Sequence, residues 1–84
     1  MILRNHGLLT VGRTVAEAFD WMYYLEQACK IQVAAQSTGA KLNIPSTQTQ
    51  QRTLAQSPIT PNRGWRSWQA LRRKLDREQP DYRN

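Results

Sequence analysis

The sequence has one cysteine and one histidine, and each scarcity excludes a class of chemistry. A lone Cys29 forbids an internal disulfide, and one Cys with one His falls short of the ligand set of a structural zinc site. Without a disulfide framework, a reducing cytoplasm is the expected compartment. Long apolar runs are also missing. None approaches the ~20 residues that a membrane span needs, so no membrane partner is expected. The opening Met-Ile-Leu-Arg-Asn-His lacks the basic-then-apolar layout of a signal peptide. Apolar residues make up 39% of the 84 and mean hydropathy is -0.72, which is thin for an independent core in so short a chain.

Acidic residues are scarce as well, 6 against 12 Lys and Arg, for a net charge of +6. The surplus sits late: Arg63, Arg66, Arg72, Arg73, Lys74, Arg77 and Arg83 face only Asp76, Glu78 and Asp81. Such a patch fits a nucleic acid or an acidic partner. No nucleic-acid-binding motif accompanies it, so the expectation is a solvated helix face, or arginines paired with carboxylates, and no nucleic acid.

Three segments organise the chain. Residues 1–38 read as short strands at Met1–Leu3 and Leu8–Val11, punctuated by Gly7 and Gly12, followed by a long helix. Thr14-Val15-Ala16-Glu17 fits a capping box, with the Thr14 hydroxyl on the Glu17 amide and the Glu17 carboxylate on the Thr14 amide. From Val15 to about Gln36 there is no Gly or Pro, and Val15, Ala18, Phe19, Met22, Leu25, Cys29 and Val33 form one apolar stripe. Residues 39–63 are a polar connector in which Pro45 opens a short helix capped by Ser46 or Thr47, closed by Pro58 and Pro61. Residues 64–84 hold an amphipathic tail helix over about 64–77, apolar on Trp65, Trp68, Leu71 and Leu75 and ended by Pro80. A helix of about 22 residues is roughly 33 Å long, about the full diameter of a globule this size. Another chain, or more of the same domain, is needed to cover it.

The histidine lies in "ILRNHGLLTVGRTVAEAFDWMYYLEQACKIQ", which closely resembles the C-terminal part of the class II aldolase/adducin domain. In that family "NHG" or "HHG" ends a core strand and a long helix follows. The ending "WQALRRKLDREQPDYR" is similar to the tails of bacterial members. The resemblance covers nearly the whole chain and is weakest in the connector. It implies an α/β fold: the C-terminal part of a three-layer α/β/α domain, commonly assembled as a cyclic homo-tetramer with active sites between subunits. It also implies a divalent metal, usually Zn²⁺, held by three histidines, two from an earlier His-x-His pair and the third at the position of His6. Three protein ligands leave a position open for a small-molecule substrate, and the metal acts on its carbonyl as a Lewis acid. The enzymes of the family, L-fuculose-phosphate aldolase among them, are aldehyde-lyases or epimerases. Its adducin branch suggests the alternative of a cytoskeleton-binding module without catalysis.

The sequence departs from the pattern in one direction. It contains no His-x-His, no glycine- and serine-bearing phosphate loop and no glutamate upstream of them. Glu17 is explained by capping, and Asp20 and Cys29 lie one to four turns into the helix. The expectation is therefore a C-terminal piece of a family member, from a truncated reading frame, a pseudogene or a partial gene model. His6 is then a metal ligand without partners, no catalytic residue is carried, Zn²⁺ does not bind tightly to this chain alone, and the missing N-terminal part or other subunits are the partners. Glu26, inside the apolar stripe, is expected to pair with an arginine or sit at a subunit contact, since an unpaired buried carboxylate is costly. Trp21, Tyr23 and Tyr24 are expected to pack, Cys29 to act as a small apolar residue, and Trp65 and Trp68 to anchor the tail helix.

Overall fold

The computed structural model describes residues 1–56 and 62–83. Strands β1 (Ile2–Leu3) and β2 (Gly7–Leu8) pair antiparallel, with Ile2 opposite Leu8 and Leu3 opposite Gly7. Arg4, Asn5 and His6 form the turn between them. Asn5 takes φ 59° and Gly7 φ 136°, conformations that asparagine and glycine reach at least cost. One further ladder bond runs from the Leu9 amide to the Met1 carbonyl, 2.9 Å. The second strand stops at Leu8 instead of reaching Val11. Thr10 is drawn off the ribbon by its hydroxyl, which donates to the Ala18 carbonyl at 2.8 Å. Nor is the first strand buried: Ile2 is 68% exposed, because α1 packs on β2 and not on β1.

Helix α1 (Val15–Ser37) begins where the Thr14 hydroxyl accepts from the Glu17 amide at 3.1 Å. The return arm differs from the expected box. The Glu17 carboxylate accepts from the Arg13 amide at 3.2 Å, one residue before Thr14, and Glu17 itself is buried. At the far end the Thr38 hydroxyl donates to Ala35 O at 2.7 Å, and Gly39, at φ 70°, donates its amide to Gln36 O. These are orphan carbonyls of the last turn being satisfied.

The apolar stripe on α1 is not a buried face. Met22, Leu25 and Cys29 are half-buried, but Val15 is 70% and Val33 63% exposed. Only Ala16 and Glu17 are buried among the described residues. The cause is where the neighbours sit: α1 packs on β2 and on α3 (Trp65–Glu78), and both meet it near its start. Gly64, at φ 79°, begins α3 so close to α1 that a Cβ there would lie 2.5 Å from the Ala16 carbonyl oxygen. Trp68 then meets Phe19 edge-on, centroids 5.7 Å apart. Trp65, expected as a second anchor, is instead 52% exposed.

Between them, α2 (Thr47–Gln56) is capped by the Ser46 hydroxyl, which accepts from the Thr49 amide at 3.2 Å. Pro58 and Pro61, expected to close it, lie outside the described residues. After α3, the Gln79 amide still donates to Leu75 O at 2.8 Å, and Pro80–Arg83 turn as a single 3-10 segment.

The chain is helix-rich with one two-stranded sheet. The described residues do not form the three layers of the expected domain. Its radius of gyration is 16.4 Å, against about 12 Å for a compact domain of this length. It exposes 7658 Å², about 2,500 Å² more than a folded monomer of its mass.

Candidate functional site

His6 occupies the last position of the hairpin turn and is exposed. Its amide donates to Leu3 O at 3.3 Å, so the backbone on which it stands is tied across the turn. Its ring is tied as well: Nδ1 lies 2.8 Å from the Arg4 carbonyl oxygen. A carbonyl can only accept, so Nδ1 is the donor, and in the neutral ring Nε2 is the nitrogen left with a lone pair. A metal-ligating imidazole needs this arrangement, with one nitrogen anchored as donor and the other bare. The residue types in "RNHG" make it local. The left-handed Asn5 turns the Arg4 carbonyl back toward the ring, and Gly7 restarts the ribbon.

The other sequence candidates do not join it. Glu17 is buried at the head of α1 in its capping role. Asp20 faces Arg63. Cys29 is a free, half-buried thiol. Glu26 corrects the expectation of a buried carboxylate: it stands 3.9 Å from Lys30 one turn on, with both side chains more than half exposed. Such a pair is worth little. No group of three or more His, Cys, Asp or Glu side chains converges among the described residues. The donor chemistry of His6 fits one place in a metal site, and the rest of the ligand set is not here.

Two constellations escaped the sequence reading. The first is centred on Arg63. Its Nε sits 2.9 Å from Asp20 Oδ2, with side chains 19% and 13% exposed. The contact is an ion pair without hydrogen-bond alignment, because the buried Nε–H finds no acceptor in line. The guanidinium carbon lies 3.8 Å from the centroid of the Trp21 ring, a stacked cation–π contact. Arg63 is over forty positions from Asp20 and Trp21, and no periodic pattern links them. The second is the Asp76–Tyr82–Arg83 cluster. Tyr82 donates its hydroxyl to Asp76 Oδ1 at 2.6 Å, and the Arg83 guanidinium pairs with the same oxygen. The Tyr82 hydrogen bond, and secondarily the Arg83 charge, hold the Asp76 carboxyl below the usual carboxylate range. The signal was present in "DREQPDYR", where Pro80 turns the chain back on α3.

No described helix is long and apolar enough to cross a membrane. Residues 1–33 match the Class II Aldolase and Adducin N-terminal domain. A Pseudomonas aeruginosa protein named for the class 2 aldolases is 44% identical over 91 residues, covering 99% of this chain and 34% of its own length. A Streptomyces roseochromogenus protein named 4-hydroxy-3-prenylphenylpyruvate oxygenase/4-hydroxy-3-prenylbenzoate synthase is 33% identical over 81 residues, 96% of this chain and 28% of its own. Human beta-adducin is 50% identical over 38 residues, 45% of this chain and 5% of its own. The chain thus spans about a third of the length of the bacterial relatives that it matches from end to end. No solved structure matches it significantly. The "NHG" turn and the helix behind it fall within the matched family domain, and the similarity to bacterial relatives runs on through the tail: the chain belongs to the class II aldolase and adducin family.

Proposed function

We propose that this chain contributes His6 as the third imidazole of a zinc site in a homo-oligomeric, cytoplasmic aldehyde-lyase acting on small hydroxy-carbonyl compounds. The observation that carries the reading is the Nδ1 contact to the Arg4 carbonyl, which engages one ring nitrogen and leaves Nε2 for a metal. A scaffold protein has no use for an imidazole so oriented on an exposed turn. When bound, the metal supplies Lewis-acid polarisation of a substrate carbonyl. What this chain's own residues do is narrower. Arg4 fixes the tautomer, Asn5 and Gly7 set the ring's direction, and the interstrand bonds keep both in place. The two remaining histidines and the acid/base glutamate belong to the segment that precedes this one in full-length family members, and the isolated chain is inactive.

The test is to join this chain to such a segment and assay metal-dependent cleavage of hydroxy-carbonyl substrates. His6→Ala should then cost about a thousandfold in turnover, roughly 4 kcal/mol, with the fold retained because the ring is exposed. Full turnover in the His6→Ala protein would refute the assignment. The similarity to beta-adducin supports a second reading, a cytoskeleton-binding module. On that reading the joined protein turns over no substrate, and His6→Ala leaves partner binding unchanged.

A further inference from the structure

The geometry points to a second site: the cleft between α1 and α2 binds a small organic monocarboxylate with a flat apolar body, through the guanidinium of Arg63. The cleft has a volume of about 720 Å³ and is walled by Trp21, Tyr24, Pro45 and Leu54, with Gln50 and Arg63 among its polar lining. That volume lies within the range of small-molecule pockets, which are mostly apolar with a few placed polar groups.

Arg63 is already set for such a ligand. Stacking on Trp21 holds the guanidinium against the ring face, and the Asp20 carboxylate, 2.9 Å from Nε, holds that side of it by charge. Little side-chain freedom is left to lose on binding. Asp20 engages the Nε side, and among the described residues neither Nη makes a hydrogen bond or ion pair. The outward edge therefore offers two parallel N–H groups, which matches the two oxygens of a carboxylate. Two further donors border it. Gln50 gives one amide proton to the Pro45 carbonyl at 2.9 Å and keeps the other, and the Tyr24 hydroxyl has no partner among the described residues.

Charge selects the ligand class. Asp20 already balances Arg63, so any anion meets a like charge close by; the two Nη donors can offset this for one delocalised charge, whereas a phosphate dianion meets twice the repulsion and sheds a heavier hydration shell. The aromatic and proline walls favour a flat ring beside the carboxylate over a hydrated chain.

The test uses the full 84-residue chain, labelled with 15N and titrated with sodium benzoate, benzamide and inorganic phosphate in parallel. Benzoate should shift the Trp21 indole and Arg63 Nε–H signals saturably, and benzamide and phosphate should each bind at least about tenfold more weakly, the loss of one charge-assisted contact or the gain of one repulsion. Arg63→Gln should abolish benzoate binding. Because Arg63 also helps to dock α3, Gln50→Leu provides a second variant that leaves the clamp intact and should weaken benzoate severalfold. The proposal is overturned if benzoate gives no saturable shift, if Arg63→Gln or Gln50→Leu leaves its affinity unchanged, or if benzamide binds equally well. Equal affinity for phosphate would overturn the monocarboxylate assignment. An Arg63 side chain without ring-current shifts in the free chain would overturn the site itself, since the stack is what builds it.

Discussion

Replacing Gly64 by alanine should release α3 from α1, and Gly39→Ala supplies the internal control. Both glycines have positive φ, 79° and 70°. Either substitution therefore incurs the left-handed penalty of about 1–3 kcal/mol, offset by about 0.4–1 kcal/mol from a stiffer unfolded chain. The surroundings separate them. A Cβ at position 39 meets nothing within 4 Å, whereas at position 64 it lies 2.5 Å from Ala16 O and 2.8 Å from Asp20 Cβ. Ala16 O is helix backbone and cannot yield, so α3 must retreat by about 1 Å, an overpacking cost of about 1–3 kcal/mol more. That retreat also separates Phe19 from Trp68 and Arg63 from Asp20 and Trp21. Native-state hydrogen exchange at the Trp68 amide, which donates to Gly64 O at 2.9 Å, reads the difference. A gap of about 2 kcal/mol between the variants corresponds to roughly thirtyfold faster exchange in Gly64→Ala. Equal rates in the two variants would refute the reasoning, because they would show that φ alone, and not close approach, requires glycine at position 64.

Three further outcomes are expected. The purified chain should self-associate, since its excess exposed area of about 2,500 Å² far exceeds the ~800 Å² per partner of a standard interface; a sharp monomer boundary in sedimentation with cooperative melting would contradict this. Calorimetry should show no tight stoichiometric zinc uptake by the chain alone, because one imidazole cannot chelate; tight uptake abolished by His6→Ala would contradict it. The Asp76 carboxyl, lowered in the folded chain, favours docking of the Pro80–Arg83 turn fully above its ordinary value of 3.8 and loses that contribution as pH falls through the lowered one. Tyr82→Phe should raise the Asp76 midpoint, followed by its carboxyl carbon shift in NMR, and an unmoved midpoint would show that the hydroxyl is not the cause.

What the sequence disclosed depended on whether the signal was local. The Thr14 cap reads within a single turn and the run from it to Ser37 has no Gly or Pro, so α1 was legible nearly to its ends. The histidine turn was legible through "NHG", though not the carbonyl of Arg4 that sets its tautomer. The apolar stripe misled because periodicity records which face a helix would bury in a full domain, and too few described neighbours reach Val33 to bury it. Glu26 misled for the same reason: a carboxylate beside an apolar stripe is buried only when something covers the stripe. The Arg63–Trp21–Asp20 constellation was illegible because long-range pairing leaves no trace in spacing.

The histidine hairpin has one more consequence, and it concerns the order of assembly. Every contact that orients the His6 ring comes from within the first nine residues: Arg4 O on Nδ1, Leu3 O on its amide, and the ladder closing at Met1 and Leu9. The donor role of Nδ1 therefore rests on contacts within nine residues and on none from α1, α3 or a partner, so their docking need not come first. On the function proposed above, a metal would meet a ring whose Nδ1 is already engaged, and substitutions in the helices would shift the hairpin without changing which nitrogen it offers.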